Sequence, residues 1–191
     1  MGAEIPGALG LLFRAKTYAK HFRFCGTNVV FGRKVRIRGA NRITLGRNVI
    51  IDDNCIIDAD ESSEITIGDG VYVGRNTRIE CRQGSIVIEN STNISANCLF
   101  SSTGRLVVGR GVMIAGFVKI TNEPTAKTEQ NKDNTLHIGN NCWLCSRTSI
   151  LGGSDIGDNV TIGAGAVIRG TIAPNQTVVG NPAREFIGSK S

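Results

Sequence analysis

The sequence predicts an all-β fold, a parallel β-helix of about six triangular coils with a short N-terminal amphipathic helix and one projecting loop. A six-residue rhythm is the first observation behind it: Ile138-Gly-Asn-Asn-Cys-Trp, Leu144-Cys-Ser-Arg-Thr-Ser, Ile150-Leu-Gly-Gly-Ser-Asp, Ile156-Gly-Asp-Asn-Val-Thr, Ile162-Gly-Ala-Gly-Ala-Val. Each unit opens with an aliphatic residue, often followed by Gly. A small or β-branched residue often stands at its fifth position, so two side chains per unit can point inward. The second observation is that the units come in threes: Leu45, Ile51 and Ile57; Ile67, Val73 and Ile79; Ile88, Ile94 and Phe100; Val108, Ile114 and Ile120. Short breaks at 60–64 and 82–85 separate some of the triplets, as expected of three flat sides whose corners tolerate insertions. Each coil then takes about 20 residues, and about six coils lie between Phe31 and Ile168. The third observation is an aromatic content of only 5%, which suits a narrow prism interior.

The elements follow in chain order. Residues 1–27 form a basic N-terminal segment in which Pro6 is placed to open a helix. Ala8, Leu11, Leu12, Ala15, Tyr18, Ala19 and Phe22 share one face at helical spacing, and Arg14, Lys16, Lys20, His21 and Arg23 cluster on the other. Residues 1–47 hold ten Lys and Arg against one acid, Glu4, a net of +9; the other 144 residues hold 12 bases and 15 acids, a net of −3. Two uses suit such a helix. It can cap or dock on the prism, or residues 5–23 can make peripheral contact with an anionic membrane surface.

Residues 28–186 carry the repeats. Gly and Asn supply the positive-φ corners, and Ile, Val and Thr suit the extended segments. One coil cannot bury its own aliphatic column, whereas stacked coils bury a continuous one. Cys55, Cys98 and Cys142 hold the inward fifth position and read as reduced packing residues. Asp58, Asp60, Glu61 and Glu64 form an acidic corner, read as a solvated turn rather than a cation site. The repeat breaks once at length, in a polar projecting loop over 121–137 whose Glu, Lys, Thr and Asn content gives it nothing to bury. Residues 187–191 form a short tail.

Several functions are excluded. No apolar run reaches the roughly 18 residues needed to span a bilayer, and the N-terminus lacks a signal-peptide core, so a cytoplasmic location is expected, with peripheral contact at the inner face of the membrane as an extension. Cys142-Trp-Leu-Cys145 has metal-like spacing but no second pair, and two histidines cannot supply a three-histidine site, so no metal is expected. Arg33, Lys34, Arg36, Arg38, Arg42 and Arg47 lack interleaved aromatics, so no nucleic acid is expected either.

The repeat, the Ile138-Gly-Asn-Asn-Cys-Trp-Leu segment, Ile162-Gly-Ala-Gly-Ala-Val-Ile and the closing Val179-Gly-Asn-Pro-Ala-Arg resemble the hexapeptide-repeat acyltransferases. The nearest branch is that of the O-acetyltransferases of galactosides, maltose and surface polysaccharides. The resemblance covers roughly residues 28–186. It implies a left-handed helix and a homotrimer, with acetyl-CoA in a groove between neighbouring prisms and a sugar or glycan hydroxyl as acceptor. Residue by residue, it implies that Ser146 contacts the CoA arm and that Gly163 and Ala164 let the pantetheine lie close to backbone. Arg184 matches a basic residue near the CoA phosphates, and Arg169 stands beside the position where the family usually has Lys. Trp143 reads equally as a cofactor contact or as part of a trimer seam.

The departure from that pattern is chemical. The family places a catalytic His in or beside the loop, often directly before Pro, to take the proton from the acceptor hydroxyl. Here the dipeptide is Glu123-Pro124. Three readings stand: Glu123 is the base after burial in the groove, His137 is the base, or catalysis is lost and the protein is a trimeric scaffold or binding protein.

Overall fold

The computed structural model describes residues 7–123 and 135–187. Pro6, the loop residues 124–134 with Pro124, and 188–191 of the tail lie outside the described residues. The described chain folds into three parallel sheets of eight, nine and seven strands, with every third strand in the same sheet. The first face starts at Phe24–Cys25, ahead of the boundary expected at residue 28; the second starts at Val30–Phe31 and the third at Arg36–Arg38. On the second face Phe31, Ile51, Val73, Ile94, Ile114, Leu144 and Ile162 are stacked in register, so the six circuits expected of the repeat are present. Each of these side chains is buried, as are Ile57, Ile79, Phe100, Ile120, Ile150 and Ile168 on the third face. Among the described residues the only antiparallel pairing is the return of Ala183–Glu185 onto Thr177–Gly180 at the last coil.

The frequent Gly after the aliphatic residue has a direct cause. On the first face a Cβ at Gly139 would lie 2.6 Å from the carbonyl carbon of Gly157 in the next coil, and a Cβ at Gly46 would lie 2.6 Å from the backbone nitrogen of Asp69. Backbone cannot yield as a side chain can. Gly139→Ala is therefore expected to destabilise the fold by about 1–3 kcal/mol, read as a lower midpoint in urea. Asparagines take the left-handed corner positions, and their amides form ladders such as Asn28 to Asn48 and Asn76 to Asn97, each at 3.1 Å.

The N-terminal helix Gly7–Ala19 closes the open end of the prism. Alternate residues of a strand face opposite neighbours, so while the Gly32 N–H donates to the next coil at Ile51 (2.7 Å), the Phe31 carbonyl is among the groups aimed out of the open end. Arg14 answers one of them: it is 3% exposed, and its Nε donates to the Phe31 carbonyl at 2.8 Å. Tyr18 meets the Phe31 ring edge-on, with centroids 5.2 Å apart, and Phe22 stacks on the same ring at 5.7 Å. This corrects the face expected from hydropathy. Arg14, assigned to the polar side, is buried, while Leu11, assigned to the apolar side, is 39% exposed, because a sheet edge requires a donor as well as apolar cover.

The acidic corner is corrected too. Asp58 is buried, paired with Arg38 at 2.6 Å and approached by Arg82, and Glu80 beside it pairs with Arg78 and Arg82. Glu64 pairs with Arg23 at 2.6 Å. Guanidinium groups pair with Asp58 and Glu64, while Glu61 is exposed in the turn as expected.

All six cysteines are free thiols, and Cys55, Cys81, Cys98 and Cys142 are buried. Burial pushes the Cys55 thiol up from 9.0 to about 11. A raised thiol pKa stabilises the fold at pH values below 9.0, and that contribution is lost as pH rises through about 11. Urea midpoints between pH 9 and 11 should accordingly fall, and alkylation of the four buried thiols should require unfolding.

Candidate active site

The corner between the third and first faces is where the projecting loop leaves and returns. The strand Lys119–Asn122 ends in a buried Asn122 whose Nδ2 donates to the Arg105 carbonyl at 3.0 Å. Asn122 fills the inward slot that Ala59, Cys81 and Ser102 fill in earlier coils, so the next residue is turned outward. That residue is Glu123. It is exposed, and one carboxylate oxygen accepts a hydrogen bond from the Ser101 hydroxyl at 2.7 Å.

The chain re-enters as Thr135–Ile138 between Arg105–Val108 and Asp155–Ile156. Leu136 and Ile138 point inward, so strand alternation turns Thr135 and His137 outward. His137 is paired in register with Asp155 of the next coil, and its Nδ1 lies 3.0 Å from Asp155 Oδ1. In the neutral tautomer that donates from Nδ1 to Asp155, Nε2 presents a lone pair. The side chains are 45% and 66% exposed, so the pair adds less than about 1 kcal/mol to stability. Its chemistry is the orientation of the imidazole.

The residues expected to hold the cofactor fall mostly on another edge. Trp143, 53% exposed, stands on the second face between Met113 and Thr161. Ser146 and Ala164 follow at the corner between the second and third faces, exposed in successive coils, with the Gly165 N–H donating to the Ser146 carbonyl at 2.9 Å. Arg184 is paired with Val179 at the end of the second face and is exposed. Gly163 has a reason of its own to be small, since a Cβ there would approach Val179 Cγ1 to 2.7 Å. Arg169 departs from this group. It follows Val167–Ile168 at the third-to-first corner, on the same edge as Glu123.

Three residues at this end were not singled out by sequence reasoning. Asp155 stands one place before Ile156 as His137 stands one place before Ile138, so the repeat itself held that signal. Phe117 and Arg147 replace the asparagines of the second-to-third corner yet keep φ of 64° and 61°, with the Arg147 guanidinium 5.8 Å from the Phe117 ring centre. Among the described residues no group of three or more His, Cys, Asp or Glu is placed to hold a metal ion, and no helix is long and apolar enough to cross a membrane.

Residues 135–170 match the family described as Bacterial transferase hexapeptide (six repeats). The chain is 27% identical over 184 residues to the putative lipopolysaccharide biosynthesis O-acetyl transferase WbbJ of Escherichia coli K12, spanning 87% of this chain and 90% of that protein. Its fold matches that of the polySia-specific acetyltransferase NeuO with a TM-score of 0.62 at 16% identity, over 87% of this chain and 82% of that one. It also matches AntD, an N-acyltransferase from Bacillus cereus solved with dTDP and 3-hydroxybutyryl-CoA, with a TM-score of 0.55 at 19% identity, over 91% and 86% of the two chains. The chain thus has the left-handed parallel β-helix fold shared with these solved structures.

Proposed function

We propose that this protein is a cytoplasmic acetyl-CoA-dependent O-acetyltransferase whose acceptor is a hydroxyl of a sugar, in a polysaccharide or lipid-linked intermediate. The observation that carries this reading is the outward His137, held at Nδ1 by Asp155, at the root of the loop. In this reading the base is His137 rather than Glu123, whose carboxylate is exposed on this chain and accepts from Ser101. In the reaction, His137 Nε2 takes the acceptor proton as the hydroxyl oxygen attacks the thioester carbonyl. The C–S bond then breaks, and the imidazolium returns its proton to the leaving sulfur. The E. coli relative, named as an O-acetyl transferase, supports the reaction class, and AntD, solved with an acyl-CoA, supports the donor.

The assembly in this reading is a homotrimer. Its support is the division of the site residues between two edges of one prism: Trp143, Ser146, Gly163, Ala164 and Arg184 on the second face and its edge, and Glu123, Arg169 and His137 at the third-to-first corner and the adjoining first face. A groove between two prisms brings one subunit's CoA-side edge to its neighbour's loop edge. Peripheral contact with the inner face of a membrane through residues 5–23 belongs to the same reading, supported by the net +9 of residues 1–47. Calorimetry with acetyl-CoA on the full-length protein tests the donor: saturable binding is expected, and no heat at millimolar ligand would instead favour a scaffold without a cofactor.

A further inference from the structure

The N-terminal helix buries one face against the prism end and leaves the other unpartnered. Gly10, Arg14 and Tyr18 turn towards the first coil. On the opposite side Leu9, 78% exposed, and Phe13, 48% exposed, are followed by the exposed Lys16 and Lys20. Leu9, Phe13 and Lys16 are spaced i, i+4 and i+7, which sets them in one stripe along the helix, and Lys20 lies in the turn just beyond its end. The nearby first coil adds exposed charge from Lys34 and Arg36. Most other bases of this end pair with carboxylates of the same chain: Arg23 with Glu64, Arg33 with Asp53, Arg38 with Asp58 and Arg47 with Asp69. Among the described residues Lys16, Lys20, Lys34 and Arg36 make no ion pair.

We infer that the capped end of the prism is a docking surface for an anionic lipid bilayer, with Leu9 and Phe13 entering the interface and Lys16 and Lys20 meeting lipid headgroups. This deepens the membrane contact proposed above by naming the face that makes it. Helix cap and membrane contact, opposed in the sequence, use different sides of the same helix. Apolar side chains flanked by lysines match a surface that is apolar within and negative outside, and a membrane is flat enough to meet the end of a prism. The surface needs only the helix and first coil. In the proposed trimer, cyclic symmetry sets the three capped ends on one side, so the contact becomes trivalent.

The test is flotation of the full-length protein with phosphatidylcholine vesicles, with and without phosphatidylglycerol. Association is expected with the anionic vesicles alone, weakening as salt is raised. Leu9→Ser/Phe13→Ser and Lys16→Glu/Lys20→Glu should each reduce it by about tenfold or more. All four side chains point away from the prism, so thermal melts of both variants should match the parent, which separates lost docking from lost folding. No association with anionic vesicles overturns the inference, as does equal association with neutral ones or unchanged association in both variants. Dissociation of the oligomer in the Leu9→Ser/Phe13→Ser variant would also overturn it, by assigning the face to a subunit contact. Calorimetry with acetyl-CoA runs in parallel, so that absent vesicle binding with intact CoA binding fails the docking surface and spares the acyltransferase reading.

Discussion

His137→Ala is expected to slow acetyl transfer by about a hundredfold to ten-thousandfold, the range attributable to a positioned general base. Acetyl-CoA affinity should stay at the parent value, because all the residues proposed to hold the cofactor except Arg169 stand on a different edge of the prism. Folding should be little affected as well. His137 is outward and half-exposed, and its contact with Asp155 is a surface pair. Asp155→Asn is the companion variant. Asparagine keeps the size of the partner but can present an N–H to Nδ1, which favours the tautomer whose Nε2 is already protonated and so blocks the base. Its rate should fall towards that of His137→Ala with acetyl-CoA binding intact. Glu123→Gln keeps an acceptor for the Ser101 hydroxyl and is expected to retain most activity; its loss with His137→Ala unaffected would move the base to Glu123. The assay is release of CoA thiol in the presence of sugar acceptors.

Phe100→Ala should produce the largest loss of stability from a single side chain. Phe100 is fully buried on the third face, stacked between Ile79 and Ile120. Its ring spans a narrow interior otherwise filled mainly by aliphatic and small side chains, and coils above and below are pinned by their own hydrogen bonds. The cavity cannot collapse. A cost of about 3–5 kcal/mol follows, measured as a shift of the urea midpoint. Because each coil contacts only its neighbours, the damage should be greatest around the mutated coil, with hydrogen exchange accelerating there first.

The fold was legible because its signal is local and repeated. An aliphatic residue every sixth position fixes which side chains face inward, and three such units close a coil whatever the corner between them contains. Even the Gly after the aliphatic residue reflects one recurring contact, the backbone of the next coil against its Cα. Arg14 was illegible for the opposite reason. Hydropathy sorts a helix by polarity, but the sheet edge it covers here presents the Phe31 carbonyl, and only the stacked coils show that a guanidinium belongs against it. Asp58 failed similarly, because its partners Arg38 and Arg82 come from the preceding and following coils and a run of acids reads as solvated until they are stacked.

The candidate site was legible in part. His137 could be placed outward from its position before Ile138, and Trp143 and Ser146 could be placed on the following side. Asp155 was available in the same way, since it occupies the His137 slot one coil later; what hid it was reading each hexapeptide along the chain instead of down the stack. The separation of the CoA-side residues from His137 and Glu123 required three dimensions, because adjacent units in sequence lie on different faces.

Acceptor-dependent release of CoA thiol from acetyl-CoA tests the central claim most directly. With a panel of hydroxyl-bearing sugars and glycan intermediates, the parent protein should release thiol faster with at least one acceptor than without any, and His137→Ala should return that rate to the acceptor-free level. A parent protein that binds acetyl-CoA yet releases no thiol above the acceptor-free rate with any member of the panel would contradict the account, as would full activity in His137→Ala.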